Sequence, residues 1–352
     1  MNDKARNEAL CFRREIERIK ALSNWENMIV PVFVHASVDG DCIGSAGATV
    51  LLLRSQGINS VVAVPEKLPD TMDFLNIGEI VETNVTKLDE LAASDLIPLT
   101  IAVDCSASSR MGIMGRIYDS CEQHLIVDHH QSVKLEGEGV WVDPAASSAS
   151  ELVYLVIREY AEIIGIEPAS LISEEMAELL LTGIVTDTGR FTYTNTQPCT
   201  LMSAGELMTY GGRITPICYN LFDRQTEGVT RLIGYTLCNS SIYCEGKLAI
   251  AVIKEADFER FGADEASIGA VVTELRDIDT VEVAFVLRET ADNKIRVNIR
   301  SKSYFDCSSF AEGYGGGGHI RAAGMSFDRS VKECPTVDDL ASEIVEKASS
   351  LL

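Results

Sequence analysis

Histidine is scarce in this chain, with five in 352 residues, and three of the five stand beside aspartates. His35 precedes Asp39 and Asp41 in HASVDGDCIGS, and Asp128, His129 and His130 are consecutive in IVDHH. Asp104 follows the apolar run LTIAV, and Asp187 lies in TGIVTDTGRF. Carboxylates two residues apart, as at Asp39 and Asp41, repel each other unless a cation lies between them. Gly40 between them suits a sharp turn. Imidazole nitrogen mixed with carboxylate oxygen suits manganese and accommodates iron, cobalt or zinc. Asp39, Asp41, Asp104, Asp187, His35 and His129 are enough for two divalent sites sharing one carboxylate. Paired ions of that kind serve in-line attack at phosphorus. Each piece alone has an ordinary reading: DGD as a polar turn, DHH as a strand end with solvated rings, Asp104 or Asp187 as a cap or turn residue. Their order and setting together argue for metals.

A second group of residues is suited to holding a substrate. Gly313–Gly318 reads GYGGGG and is followed by His319. Glycines such as Gly316, Gly317 and Gly318 let backbone N–H groups approach a phosphate or a base edge closely. Arg300 and Ser301 lie just upstream in VNIRSKS, and a guanidinium there can grip phosphate with a two-pronged fork.

The segments that carry these residues read as strands and helices in alternation. Met28–Ala36, Ser60–Val64, Leu99–Asp104 and His124–Asp128 are short apolar runs, expected as strands. Gly44–Arg54, Glu151–Ile164 and Ser173–Val185 are expected as helices. The pattern predicts an α/β fold: an N-terminal doubly wound, mainly parallel sheet covered on both faces. Ligands of such sheets bind beyond the carboxyl ends of the strands, where these aspartates and histidines fall. Thr215–Thr236 reads as a polar linking helix, with Asp223, Arg224, Gln225 and Glu227 at its middle. Beyond it Ile242–Tyr243, Leu248–Ile253, Val281–Arg288 and Lys294–Arg300 read as strands, and Phe258–Phe261, Ile268–Leu275 and Val337–Leu351 as helices. The expected division is a catalytic domain over 1–213, a linker over 214–240 and a smaller α/β domain over 241–352.

Composition narrows the function. The net charge of −23 argues against a protein that holds long duplex DNA, since such proteins displace counterions with many Lys and Arg. No basic stripe that would track a long strand is evident. Ten cysteines without a CxxC pair point to reduced thiols rather than a zinc ribbon or disulfide framework. The charged N-terminus MNDKARNEALCFRREIERIK reads as a surface helix, not a signal peptide, and no apolar run is long enough to span a membrane. A soluble cytoplasmic protein is expected.

HASVDGDCIGS, VDCSASSR, VDHHQS and TGIVTDTG resemble the four sequential motifs of the DHH phosphoesterase superfamily. RSKSYFDCSSFAEGYGGGGHIRAAG resembles the DHH-associated C-terminal domain with its GGGH loop, and VDPAASSASELVY fits the bacterial nanoRNase and pAp phosphatase branch. The resemblance implies one ion, most suitably Mn2+, on His35, Asp39 and Asp104, and another on Asp41, Asp104, His129 and Asp187. It implies that His130 stabilises the reacting phosphate, that Asp128 orients a neighbour, and that Ser109 and Arg110 lie near the substrate phosphate. Residues matching Arg300 and His319 reach the nucleotide in relatives. Val38 stands where the family commonly has proline, and Cys42 replaces a small residue; neither is an expected ligand.

The function implied is two-metal hydrolysis of short oligoribonucleotides, of linear dinucleotides such as pApA, or of pAp at its 3′-phosphate. Alternatives are a soluble cyclic di-AMP phosphodiesterase, a RecJ-like single-strand exonuclease and a nucleotide-binding regulator without catalysis. The expected partner is short RNA or a small nucleotide, with no membrane and with a homodimer left open.

Overall fold

The computed structural model describes residues 2–130, 135–263 and 271–352. The chain forms two compact units, divided between Arg224 and Gln225.

The first unit is built on β1 (Val30–Phe33), β2 (Ser60–Ala63), β3 (Val81–Glu82), β4 (Thr100–Val103), β5 (His124–Asp128) and β6 (Val140–Val142). The strands are all parallel, in the order β3-β2-β1-β4-β5-β6. β1, β2 and β4 are buried throughout, which explains their unbroken apolar runs. The two edge strands are too short to stand out in the sequence. The order reverses between β1 and β4, and a crevice opens at that switch point in doubly wound sheets. His35 lies just past β1, Asp104 just past β4, and Asp128 ends β5.

Helices Gly40–Ser55, Ala149–Ile164 and Glu174–Asp187 pack together on this sheet. The first begins at Gly40 rather than at the expected Gly44, because Asp39 caps it. The Asp39 carboxylate accepts the amides of Asp41 (3.1 Å) and Cys42 (3.0 Å). DGD is thus a helix start, and Gly40 answers a different need from a sharp turn. A Cβ on Gly40 would lie 2.4 Å from Thr186 Cγ2, and one on Gly44 2.3 Å from the Leu179 carbonyl oxygen. The glycines bring two helices into near backbone contact. The N-terminal helix Asn2–Lys20 also departs from its reading as a surface helix: Ala5, Ala9, Phe12, Ile16 and Ile19 are buried against the core.

The expected linking helix is broken. Helix Ile214–Cys218 passes into a π-helical turn at Tyr219–Asp223, and Arg224 is extended. A new helix, Glu227–Cys238, starts on Thr226, whose hydroxyl accepts the Val229 amide. Asp223, Arg224 and Gln225 therefore occupy an interruption between helices.

The second unit holds β7 (Ser241–Tyr243), β8 (Leu248–Ile253), β9 (Val283–Glu289), β10 (Lys294–Ser301), β11 (Gly317–His319) and β12 (Ala322–Asp328), in the order β11-β12-β10-β9-β8-β7. β8 and β9 are parallel and the other pairs antiparallel. The glycine-rich run is not wholly a loop, since its last residues form β11 with His319. Helix Val271–Asp277 covers part of the expected 268–275 helix, whose start lies outside the described residues. All ten cysteines are free. Among the described residues no helix is long and apolar enough to cross a membrane.

Candidate metal centre

The carboxyl ends of β1, β4 and β5 and two helix ends bring the expected ligands together. His35 Nε2 lies 3.2 Å from Asp104 Oδ2 and 3.4 Å from Asp39 Oδ2. His129 Nε2 lies 3.4 Å from Asp104 Oδ1, 3.2 Å from Asp187 Oδ2 and 3.8 Å from Asp41 Oδ2. Asp104 thus turns one oxygen to each of two imidazoles. Its Oδ1 is buried without a hydrogen-bond partner, although buried carboxylate oxygens are ordinarily satisfied. Its backbone is left-handed, at φ 53°, a conformation aspartate tolerates better than most residues. An unsatisfied buried oxygen, ringed by carboxylates and imidazoles, fits a divalent cation. Two overlapping groups, Asp104 with His129 and His130, and Asp41 with His129 and Asp187, each have donor atoms within 4.8 Å of one another.

Asp41 is the most constrained of the expected ligands. It is wholly buried, and its two oxygens accept the amides of Ala149 (2.7 Å) and Ser150 (2.8 Å). Those amides open helix Ala149–Ile164, so the positive end of the helix faces the carboxylate. Gly183 leaves room for this contact: a Cβ there would lie 1.9 Å from Ser150 Oγ and 2.5 Å from Asp41 Oδ1. Asp187 ends helix Glu174–Asp187. The Asn195 amide donates to the Asp187 carbonyl (3.1 Å) and to the Ser147 carbonyl (2.9 Å). Glu151 in turn accepts the Ser147 amide (2.9 Å), the Ser147 hydroxyl (2.6 Å) and the Thr200 hydroxyl (3.1 Å).

Asn195, Glu151 and Gly183 escaped the sequence reading. The only signal was Ser148 followed three residues later by Glu151, a helix-start pattern. Cys42 was set aside as a ligand, yet its sulfur stands with His35 and Asp39 in a third candidate group. It receives the Asp39 amide (3.2 Å) and staples the cap.

Asp128 accepts the amides of His129 (2.7 Å) and His130 (3.0 Å), and its Oδ1 lies 2.7 Å from His130 Nδ1. That contact fixes the His130 ring and leaves Nε2 on the side away from Asp128. Burial pushes the Asp128 carboxyl up, but the His130 contacts outweigh it and hold it below its ordinary value. His124 stands apart, stacked on Tyr118 at 4.4 Å and bonded to Thr100. Arg110 is exposed on the short turn Ser108–Arg110, and its carbonyl accepts the Ala36 amide (2.8 Å), which fixes the turn beside the His35 segment.

Charge balance in the metal-free centre is uneven. Burial pushes the Asp41 and Asp187 carboxyls up, and the negative charge of Asp104 adds to this. Burial pulls the imidazoles down, but the neighbouring carboxylates of Asp104, Asp39 and Asp187 outweigh it, so His35 is raised to about 10 and His129 to about 11. Both rings are therefore protonated near neutrality and act as internal cations. Their folded values lie above the ordinary value of about 6.5, so their stabilisation is complete below that pH and is lost as pH rises through about 10 and 11. A metal must displace these protons. Metal uptake is thus expected to release protons and to tighten with pH between roughly 6 and 9. Calorimetry in two buffers of different ionisation enthalpy measures this, and uptake without proton release would contradict it.

In the second unit, Arg300 faces Ala322 across the sheet and donates to the Ile299 carbonyl (2.9 Å). His319 and Gly317 are exposed on β11. Gly316 and Gly318 press against the β12 backbone, where a Cβ would lie 2.3 Å from the Gly324 carbonyl oxygen and 2.5 Å from that of Ala322. Ser301 differs from its expected role: it is buried, and its hydroxyl donates to the Phe305 carbonyl (2.7 Å). That bond supports a turn rather than offering a group to substrate.

Residues 29–184 match the DHH family, N-terminal domain, and residues 245–349 match the DHHA1 domain. The chain is similar to the bifunctional oligoribonuclease and PAP phosphatase NrnA of Bacillus subtilis, at 30% identity over 311 residues that cover 88% of this chain and 92% of that protein. Among solved structures, an exopolyphosphatase-related protein from Bacteroides fragilis superposes with a TM-score of 0.78 at 26% identity, covering 96% of this chain and 98% of that one. RecJ of Thermus thermophilus in complex with Mn2+ shares the fold, with a TM-score of 0.53 at 14% identity, covering 99% of this chain and 55% of that one.

Proposed function

Since the chain belongs to the DHH family of phosphoesterases and carries a DHHA1 domain in its second unit, we propose that it hydrolyses phosphate esters of short oligoribonucleotides, of linear dinucleotides such as pApA, and of pAp at its 3′-phosphate. The observation that carries this reading is the convergence of Asp104 with His35 on one side and His129 on the other. In this reading His35, Asp39 and Asp104 hold one ion, and Asp41, Asp104, His129 and Asp187 hold the other, most suitably Mn2+. Bound there, divalent ions supply the acidity that ionises water near neutral pH and offset charge on the phosphoryl group.

The protein's own groups supply orientation. His130, braced by Asp128, meets charge building on a phosphoryl oxygen. Asp41, pinned by two helix amides, keeps its direction as the reaction proceeds. Water adds to phosphorus, the ester P–O bond breaks, and the departing ribose oxygen gains, through solvent, the proton that the attacking water gives up. Arg110 attracts the substrate phosphate, while Arg300, Gly316, Gly317, Gly318 and His319 hold the nucleotide.

The test is a panel of pAp, pApA, RNA of two to five nucleotides, cyclic di-AMP, pyrophosphate and single-stranded DNA, with full-length protein and Mn2+. Hydrolysis of the first three classes, abolished by EDTA and restored by Mn2+, is expected. Folded, metal-loaded protein that cleaves none of them would overturn the reading and favour a nucleotide-binding regulator. His319→Ala is expected to raise KM roughly tenfold, the loss of one hydrogen bond to a charged group, with metal content unchanged. Elemental analysis showing metal loss in that variant would contradict the assignment.

A further inference from the structure

Asp41 and Asp187 both reach His129 Nε2, at 3.8 Å and 3.2 Å, but from different helices. Asp41 is fixed by the amides of Ala149 and Ser150. Asp187 ends its helix, and among the described residues no backbone amide bonds its carboxylate. The chain then runs through Gly189, Arg190 and Phe191 at φ 52°, 62° and 65°. Glycine adopts this left-handed conformation freely, whereas arginine and phenylalanine hold it only where surrounding contacts impose it. A carboxylate that must keep its aim therefore stands at the edge of strained backbone.

One side chain closes that loop. Asn195 Nδ2 donates to the Asp187 carbonyl (3.1 Å) and to the Ser147 carbonyl (2.9 Å). Two carbonyl acceptors leave no choice of amide orientation, because only the NH2 end donates. Ser147 lies two residues before Ala149, so the same amide is tied to the helix start that grips Asp41. Ser147 is fixed in its turn. Glu151 is wholly buried, and its Oε2 accepts the Ser147 amide, the Ser147 hydroxyl and the Thr200 hydroxyl. The Thr200 oxygen also accepts the Gln197 amide (3.2 Å), so the segment that carries Asn195 is anchored at its far end to the same carboxylate. His35 and Asp39 take no part in this chain of bonds. Their group is set by the helix cap on Asp39.

We propose that Asn195, braced through Ser147 by Glu151, is a positioning residue that sets the spacing of Asp41 and Asp187 about His129. It thereby governs the ion held there and leaves the ion at His35 and Asp39 unaffected. The proposal deepens the two-ion reading given above and rests on it. Neither side chain bonds an imidazole or carboxylate of the expected ligands; both act through backbone that carries them. An asparagine between two carbonyls is often only a loop brace. A brace lost would lower stability and loosen both ions alike, whereas a positioning residue lost moves one ion.

Calorimetric titration of full-length, metal-stripped protein with Mn2+ tests this, with urea unfolding of the same samples as the check on folding. Wild type is expected to take up two ions. Asn195→Ala is expected to weaken one of them roughly ten- to a hundredfold, the range for losing a group that orients a metal ligand, and to leave the other unchanged. Glu151→Gln keeps an oxygen for the Ser147 and Thr200 donors, guards against unfolding, and is expected to weaken the same ion about tenfold. The double variant is expected to weaken it no further than Asn195→Ala alone, because both residues act along one path. Asp39→Asn identifies the ions, since it should weaken the one that Asn195→Ala spares. Equal weakening of both ions, no weakening, or effects that add in the double variant would overturn the positioning role alone. Wild-type protein that takes up fewer than two ions would overturn the two-ion reading, and the positioning role with it.

Discussion

Asp104→Asn is expected to abolish hydrolysis while the protein remains folded. Asparagine keeps the shape of the side chain and tolerates the left-handed backbone at φ 53° as aspartate does. Alanine is a poorer probe there, because backbone strain would mix with loss of the carboxylate. The charge removed is the one between His35 at 3.2 Å and His129 at 3.4 Å. An amide presents one oxygen where the carboxylate presents two, so the centre loses a shared anionic ligand. Turnover is expected to fall at least about a thousandfold, the scale for removing one group from a preorganised electrostatic site. Metal content by elemental analysis should fall with it, while the far-ultraviolet dichroism stays native. Full metal occupancy with wild-type turnover would sink the assignment of Asp104.

Gly183→Ala should damage the same centre from behind. The added methyl would lie 1.9 Å from Ser150 Oγ and 2.5 Å from Asp41 Oδ1, closer than any contact atoms sustain. Relief requires the helices Gly40–Ser55, Ala149–Ile164 and Glu174–Asp187 to move apart or Asp41 to turn away from its two amides. Overpacking of this kind costs about 1–3 kcal/mol. Displacing a ligand by about 1 Å is expected to cost about a hundredfold in turnover. Gly205→Ala is the control, because a Cβ there meets nothing within 4 Å and helix Pro198–Thr209 should tolerate or gain from it. Urea unfolding and steady-state rates measure both. Gly183→Ala with native stability and native turnover would show that the contact is slack.

The cluster of proposed ligands was legible because its parts include rare residue types at the ends of conspicuous apolar runs. His35, Asp104 and Asp128 each follow or close a strand whose β-branched residues announce it. What stayed hidden depends on contacts between distant segments. Nothing in the sequence near Gly40 tells that Thr186 lies against it, so the glycine reads as a turn former when it is a point of close approach. Asn195 braces Asp187 and Ser147 through backbone carbonyls, which leave no trace in residue type. The break at Arg224 was masked by helical composition on both sides. The alternation in β10 was visible, but Arg288 joins Arg296 only through the antiparallel register.

The proposed ligands, and His130 beside them, differ in their access to water. Side-chain exposure is 51% at Asp39 and 34% at His130, but 3% at Asp104 and none at Asp41. The cluster therefore has a buried floor of Asp41 and Asp104 and a wetter edge at Asp39, His130 and Asp187, the last with 28% exposure. A charge change at Asp39, His130 or Asp187 falls where water can answer it, whereas one at Asp41 or Asp104 must be met by the protein's own groups.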